Sequence, residues 1–224
     1  MTITGDGSLV LDGVSLWLGD RRLIGPLDLA IAPGEIATLM GPSGSGKSSL
    51  LAFICGTLDP AFRAEGRLQL AGVDLGPLPP EHRRVGILFQ DDLLFPHLSV
   101  GGNLAFGLPL GLDRAARRRR VAAALSEAGL AGFEDRDPAT LSGGQRARVA
   151  LLRMLLSEPR TLLLDEPFNR LDSWLRSRFR YYVFKRARKR GLPVLLVTHD
   201  REDAKSASGR IVTVGKDLAG DLVE

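Results

Sequence analysis

Three short apolar runs fix what this chain can fold into: Ile36-Ala37-Thr38-Leu39-Met40, Thr161-Leu162-Leu163-Leu164 and Val194-Leu195-Leu196-Val197. Strands that are apolar almost throughout are covered on both faces, the condition of a parallel sheet flanked by helices. Each run passes at once into polar or glycine-rich residues: Gly41–Ser48, then Asp165-Glu166, then Thr198-His199-Asp200. Ligands of open α/β sheets bind beyond the carboxyl ends of the strands. Three strands far apart in sequence therefore deliver candidate chemistry to one edge.

The first of these segments, Gly41-Pro42-Ser43-Gly44-Ser45-Gly46-Lys47-Ser48, satisfies the whole eight-residue phosphate-loop pattern, with a strand before it and a helix after it. Its glycines permit the backbone to turn successive N–H groups onto phosphate oxygens, and the helix beginning near Lys47 adds its positive end. Lys47 is expected to neutralise the β- and γ-phosphates of ATP, and Ser48 to ligate Mg2+, with Ser49 counted among the nucleotide-binding residues. In TLLLDEP, Asp165 stands at a strand end, where related phosphate-loop ATPases hold magnesium through water. Glu166 is placed to orient and deprotonate the attacking water. Asp or Glu before Pro167 also suits a helix N-cap, and the two roles can coexist. His199 follows the third strand and is expected beside these groups, whereas His82 and His97 read as surface or core residues.

The remaining pattern sets the organisation. Leu9 to Ala32 alternates and turns at Gly13, Gly19-Asp20 and Gly25-Pro26, which predicts antiparallel strands, as does Gly66–Gly72. From about Leu98 to Glu158 the pattern is helical. The expected fold class is α/β: a phosphate-loop NTPase (RecA-like) core with an N-terminal antiparallel β subdomain and an inserted helical subdomain. Residues 1–89 and 161–224 are assigned to the core and 90–160 to the insertion, all within one domain of 224 residues.

Composition excludes several classes. No run approaches the roughly 18 apolar residues that cross a bilayer, and the N-terminus lacks a basic-then-apolar signal, so a cytoplasmic location is expected. The single cysteine, Cys55, excludes an internal disulfide and a cysteine-rich zinc site; it reads as a small buried hydrophobe behind the phosphate loop. The densest positive cluster, Arg117–Arg120, falls in a helix predicted to stop at Gly129. It lacks the interleaved aromatics that favour single-stranded nucleic acid, and reads as a solvated helix face.

The pentapeptide Leu141-Ser142-Gly143-Gly144-Gln145 leads into a strongly helical stretch. Ser142 is a favoured N-cap, so a plain capped helix is one reading. Two glycines in a first helical turn cost roughly 1 kcal/mol each relative to alanine. They make sense if a phosphate must approach the backbone. Because Lys47 already serves this chain's own nucleotide, the second turn is best used on a partner's, which predicts a head-to-tail homodimer with two ATPs at the interface.

Phosphate loop and pentapeptide together resemble the ATP-binding cassette (ABC) ATPases over essentially the whole chain, with motifs in the family order. The resemblance implies that Gln90, in GILFQDDLLFP, links core to helical subdomain and reaches toward magnesium and the attacking water. It implies that His199 contacts the γ-phosphate and that Asp172, in FNRLD, communicates across the dimer. Leu93-Leu94-Phe95 looks like part of the surface receiving a permease coupling helix; simple packing within the subdomain is the alternative. TLMGPSGSGKSSL, GILFQDDLLF and DPATLSGGQRARVALLRMLL are similar to bacterial importer ATPases of the thiamine and ferric-ion type. The family's Gly-Glu-containing exporter element is replaced by Asp137-Pro138-Ala139-Thr140.

Two departures stand out. The aromatic that usually stacks on adenine aligns with Leu18, beside Trp17: either a local bulge turns Trp17 toward the base, or adenine selectivity is weak. The aspartate loop reads Asn169-Arg170-Leu171-Asp172 where small residues are common, so its contacts are expected to differ. The implied function is the ATP-hydrolysing subunit of a transporter, peripheral on the cytoplasmic face of the inner membrane, with an integral-membrane permease and, indirectly, an extracytoplasmic solute-binding protein as partners. No nucleic-acid partner is expected: the heptad insertions or zinc cysteines of DNA-maintenance relatives are absent. A mechanical membrane ATPase that moves no solute is the alternative.

Overall fold

The computed structural model describes residues 7–89 and 91–215. In chain order the strands are β1 (Leu9–Leu18), β2 (Arg21–Ile31), β3 (Ile36–Met40), β4 (Phe62–Leu70), β5 (Val73–Asp74), β6 (Val85–Leu88), β7 (Thr161–Asp165), β8 (Val194–Val197) and β9 (Ile211–Thr213). The helices are α1 (Lys47–Cys55), α2 (Val100–Phe106), α3 (Arg114–Glu127), α4 (Gly143–Leu156), α5 (Ser173–Lys189) and α6 (Arg201–Ala207). The chain divides into two compact units. One comprises residues 1–87, 160–166 and 181–224; the other comprises 88–159 and 167–180.

The first unit holds both sheets. One is four-stranded in the order β2-β1-β4-β5, with β1 antiparallel to both β2 and β4. The other is five-stranded in the order β6-β7-β8-β3-β9, and β8 runs parallel to β7 and β3. The three apolar runs of the sequence are the central strands β3, β7 and β8, and every residue of β7 and β8 is buried. Side chains of both sheets and of α1 meet in one apolar core that includes Leu16, Ile24, Leu39, Leu50, Leu163 and Leu195. Fully burying a leucine contributes about 1.5–3 kcal/mol, so the sheet register is held by many such side chains at once. Thr38 is the exception: its hydroxyl is buried in β3 without a hydrogen-bond partner.

The second unit is helical. Asp113 caps α3 through Ala116 N–H at 2.6 Å, and the helix ends at Glu127, two residues before Gly129, whose φ is 67°. Its arginines do not all behave as a solvated face. Arg118 and Arg119 are exposed, but Arg120 pairs with Glu158 at 2.6 Å and Arg117 donates to the carbonyls of Ala105 and Pro109. Fully buried Asn103 organises the loop before α2. Its Oδ1 accepts from Phe95 N–H at 2.8 Å, and its Nδ2 donates to the carbonyls of Phe95, Leu98 and Ser99. Residues 167–180, assigned from sequence to the nucleotide core, group with this helical unit.

Candidate nucleotide site

The register of the parallel sheet determines what meets. Leu39 pairs with Val197, and Val197 pairs with Asp165. The segments that follow, the glycine loop, Thr198-His199 and Glu166, thus leave the sheet at one level.

Gly41–Ser48 joins β3 to α1. Gly46 is the N-cap, with φ 90°, and no side chain caps this helix end. A Cβ at Gly46 would lie 3.1 Å from both Leu23 Cβ and Ile24 Cγ1. Left-handed backbone and close packing together restrict the position to glycine. Lys47 Nζ arches back over the loop, donating to the Gly41 carbonyl at 2.8 Å, the Pro42 carbonyl at 2.7 Å and Ser45 Oγ at 3.5 Å. Pro42, Ser43, Gly44 and Ser48 are exposed, and Ser49 is half-buried. At the other end of α1, buried Arg83 donates to the carbonyls of Phe53 and Ile54 at 2.8 and 3.0 Å, a cationic partner where the helix dipole is negative. Cys55 is buried beside it, and burial pushes its thiol up to about 11.

Ser48 Oγ donates to Asp165 Oδ2 at 2.7 Å. Burial raises the Asp165 carboxyl above the usual range; the Ser48 hydrogen bond opposes this, the neighbouring Glu166 adds to it, and Lys47 counters it. Among the described residues no three His, Cys, Asp or Glu side chains converge as a metal cluster. The paired hydroxyl and carboxylate oxygens of Ser48 and Asp165 nevertheless fit a hard cation that takes its other ligands from phosphate and water.

Glu166 sits at φ 49°, outside the usual range for a side-chain-bearing residue, at a cost of order 1–3 kcal/mol. Its N–H donates to the Val197 carbonyl at 2.9 Å, which anchors the strained residue to β8. The carboxylate meets His199 Nδ1 at 2.7 Å, and Thr198 Oγ1 lies 3.5 Å from its other oxygen. An ionised carboxylate only accepts, so this contact requires the Nδ1–H tautomer of the imidazole. Neither Asp165 nor Glu166 caps a helix. The helix-end role belongs to Asp172, which accepts Leu175 N–H at 2.9 Å in the first turn of α5.

In the second unit, Ser142 caps α4 reciprocally: its Oγ accepts Gln145 N–H at 3.3 Å, and Gln145 Oε1 accepts Ser142 N–H at 2.9 Å. The capped-helix reading is therefore present. The two glycines differ. A Cβ at Gly143 would meet nothing nearer than an arginine tip at 3.8 Å, whereas one at Gly144 would press on the Arg170 carbonyl and Leu171 Cδ2 at 3.3 Å. Gly144 thus has a packing reason of its own, and Gly143 leaves the turn open. Trp17 is half-buried beneath the Arg63 guanidinium, 4.6 Å from the ring centre. The register slip beside it falls on β2, since Leu16 pairs with Ile24 but Trp17 with Arg22, while the β1–β4 ladder is regular there. On β1 the shift in the ladder with β4 lies earlier, between Asp12 and Ser15. Gln90 lies outside the described residues.

Residues 24–169 match the ABC transporter family. This chain belongs to that family. Within it, the ABC chain is 50% identical over 200 residues to an uncharacterised ABC transporter ATP-binding protein, YnjD, of Escherichia coli, covering 89% of this chain and 92% of that one. It is 45% identical over 207 residues to the thiamine import ATP-binding protein ThiQ of Cereibacter sphaeroides, covering 92% and 87%. It is 40% identical over 215 residues to a ferric-ion import ATP-binding protein, FbpC 1, of Rhizobium meliloti, covering 96% of this chain but only 60% of that longer relative. A dimeric structure of MJ0796, described as a bacterial ABC transporter cassette, superposes with a TM-score of 0.80 at 31% identity, covering 92% of this chain and 94% of that one. The same cassette in a post-hydrolysis state bound to ADP and phosphate gives the same TM-score at 30% identity, covering 96% and 99%.

In this ABC cassette the sequence marks Thr198 but not its partners, and gives no sign that Arg83 and Arg153 are anchored. Thr198 is buried and receives Asp200 N–H at 3.0 Å. Arg83 lies in a proline-flanked segment where an exposed charge is the ordinary expectation. Arg153 donates to the Leu93 carbonyl at 2.9 Å and stacks 4.9 Å from the Phe95 ring centre. Only the fold brings these partners together.

Proposed function

We propose that this chain is the ATP-hydrolysing subunit of a bacterial ABC importer, working as a homodimer on the cytoplasmic face of the inner membrane under an integral-membrane permease fed by an extracytoplasmic solute-binding protein. The observation that most supports this is the convergence of Lys47, the Ser48–Asp165 pair and the Glu166–His199 pair at the ends of β3, β7 and β8. Relatives named for ferric-ion and thiamine import support transport into the cell. No helix among the described residues is long and apolar enough to cross a membrane, so the permease supplies the passage.

In this reading Lys47 and the first-turn N–H groups of α1 hold the β- and γ-phosphates, with Gly41–Gly46 and Ser49 lining them. Ser48 and Asp165 hold Mg2+, joined by Gln90. Glu166 accepts a proton from water as the water oxygen bonds to the γ-phosphorus and the bond to the ADP oxygen breaks. His199 contacts the γ-phosphoryl group. The turn Ser142-Gly143-Gly144-Gln145 of one copy meets the nucleotide of the other, and Asp172 links the two sites. Trp17, stacked under Arg63, is assigned to the adenine. Phosphate release from ATP by the purified chain tests the core claim: it should require Mg2+ and stop on chelation, and turnover indifferent to chelator would reject the assignment.

Asp165 supplies a second test. Its raised carboxyl means that the folded chain binds a proton more readily than the unfolded chain. Stability therefore falls as pH rises from the ordinary carboxylate range through the folded value, and the penalty is complete above it. Asp165→Asn removes that penalty. The variant should melt higher than wild type at neutral pH without nucleotide, yet lose the extra stabilisation that Mg2+ adds to bound ATP. Scanning calorimetry with and without Mg2+ reads both; a lower melting point with intact Mg2+ response would refute the role.

For the permease surface, Leu93 and Phe106 are 58% and 67% exposed, while Phe95 packs edge-on against Phe106 at 4.6 Å. Both roles weighed for Leu93-Leu94-Phe95 thus have support, docking for Leu93 and packing for Phe95. Leu93→Glu with Phe106→Glu should reduce copurification of an integral-membrane partner about tenfold, the loss of roughly 1.4 kcal/mol. Unchanged recovery, or recovery of DNA or ribosomes instead, would count against the surface.

A further inference from the structure

Within the helical unit, three segments that the sequence separates widely are tied by charge. Arg170, in the aspartate loop, donates to Asp91 Oδ1 at 2.9 Å and to Asp92 Oδ2 at 3.0 Å. The same Asp92 oxygen lies 3.4 Å from Arg146 Nε, in the first turn of α4. Arg146 in turn donates from Nη1 to the Leu141 carbonyl at 2.7 Å, which fastens it to the residue preceding Ser142. The Arg170 backbone lies against the same turn, because its carbonyl is the atom that a Cβ at Gly144 would press upon. Asp92 is only 10% exposed, against 79% for Asp91. An exposed ion pair contributes little, but a carboxylate withdrawn from water depends on its cations.

We propose that Arg170 is a positioning residue that locks the aspartate loop, the Asp91-Asp92 segment and the Ser142–Gln145 turn into one body, so that the turn presents itself to nucleotide in a fixed pose. The fork geometry of arginine suits this: one guanidinium serves two adjacent carboxylates, which an ammonium serves poorly. The proposal rests on the ATPase reading above. It adds a residue outside the nucleotide and metal ligands assigned above, at the loop position where this chain departs from the small residue common in its family.

The test is a double-mutant cycle on the full chain, with steady-state ATP hydrolysis and thermal melting as readouts. Arg170→Ala and Asp92→Ala should each lower kcat roughly tenfold with KM for ATP unchanged. The double variant should be no slower than the slower single one, since both changes break the same tie. Arg170→Lys should recover only part of the loss. Arg170→Asp should be worse than Arg170→Ala, and adding Asp91→Arg should restore it toward wild type. Melting points within a few degrees of wild type exclude simple unfolding as the cause. Multiplying losses in the double variant, a change confined to KM, or full activity of Arg170→Ala would overturn the proposal. A wild-type chain that hydrolyses no ATP would instead overturn the function it rests on, so the two failures are distinguishable.

Discussion

Glu166→Gln is expected to hold ATP but to turn it over 10²–10⁴-fold more slowly, the usual contribution of a positioned general base. The substitution is nearly isosteric, and an amide can keep the Thr198 and His199 neighbours that surround the carboxylate at 3.5 and 2.7 Å. What it removes is the capacity to accept a proton from water. It also leaves intact the φ of 49° and the anchoring of its N–H to Val197, so the sheet edge is undisturbed. With hydrolysis blocked and binding retained, ATP should accumulate in a closed homodimer. Size-exclusion chromatography with Mg2+ and ATP should show a dimer for the variant where wild type returns to monomer as ATP is spent. Phosphate release near the wild-type rate would remove Glu166 as the base. A slow variant that stays monomeric would keep the base and reject the two-copy arrangement.

The second large effect belongs to Lys47. Its ammonium is held at the mouth of the loop by the Gly41 and Pro42 carbonyls at 2.8 and 2.7 Å, poised where a triphosphate would bring its outer oxygens. Charge-assisted hydrogen bonds contribute about 1.5–3 kcal/mol each, so Lys47→Ala should weaken nucleotide binding roughly ten- to two-hundredfold. Titration calorimetry with a slowly hydrolysed ATP analogue measures this directly. Affinity within twofold of wild type would contradict the phosphate role. The hydrogen bonds of the ammonium all go to loop atoms, so the loss should fall on binding; an unchanged melting point of the nucleotide-free variant checks that separation.

Most of the nucleotide edge was legible because its signals are local. An apolar run followed by glycines, by Asp-Glu or by Thr-His needs no knowledge of the rest of the chain. The parallel register then brought Glu166 and His199 to 2.7 Å and Ser48 and Asp165 to the same distance. The helical insertion was legible from periodicity, but its membership was not. Residues 167–180 carry no compositional mark of belonging with it, and only packing assigns them there. Gly144 shows the limit from the other side: its spacing suggested room for a phosphate, while the fold adds a neighbouring carbonyl 3.3 Å from where its Cβ would stand.

By itself the sequence determined the strand ends, the phosphate loop and the order of the chemistry, since hydrophobic period and glycine placement act over a few residues. Tertiary structure alone decided the partners of charges: that Arg83 caps α1, that Asp92 is shared between Arg146 and Arg170, and that Arg117 is anchored while Arg118 is solvated. A charged side chain has the same local signature whether it ends in water or in a buried pair, and only long-range folding determines which.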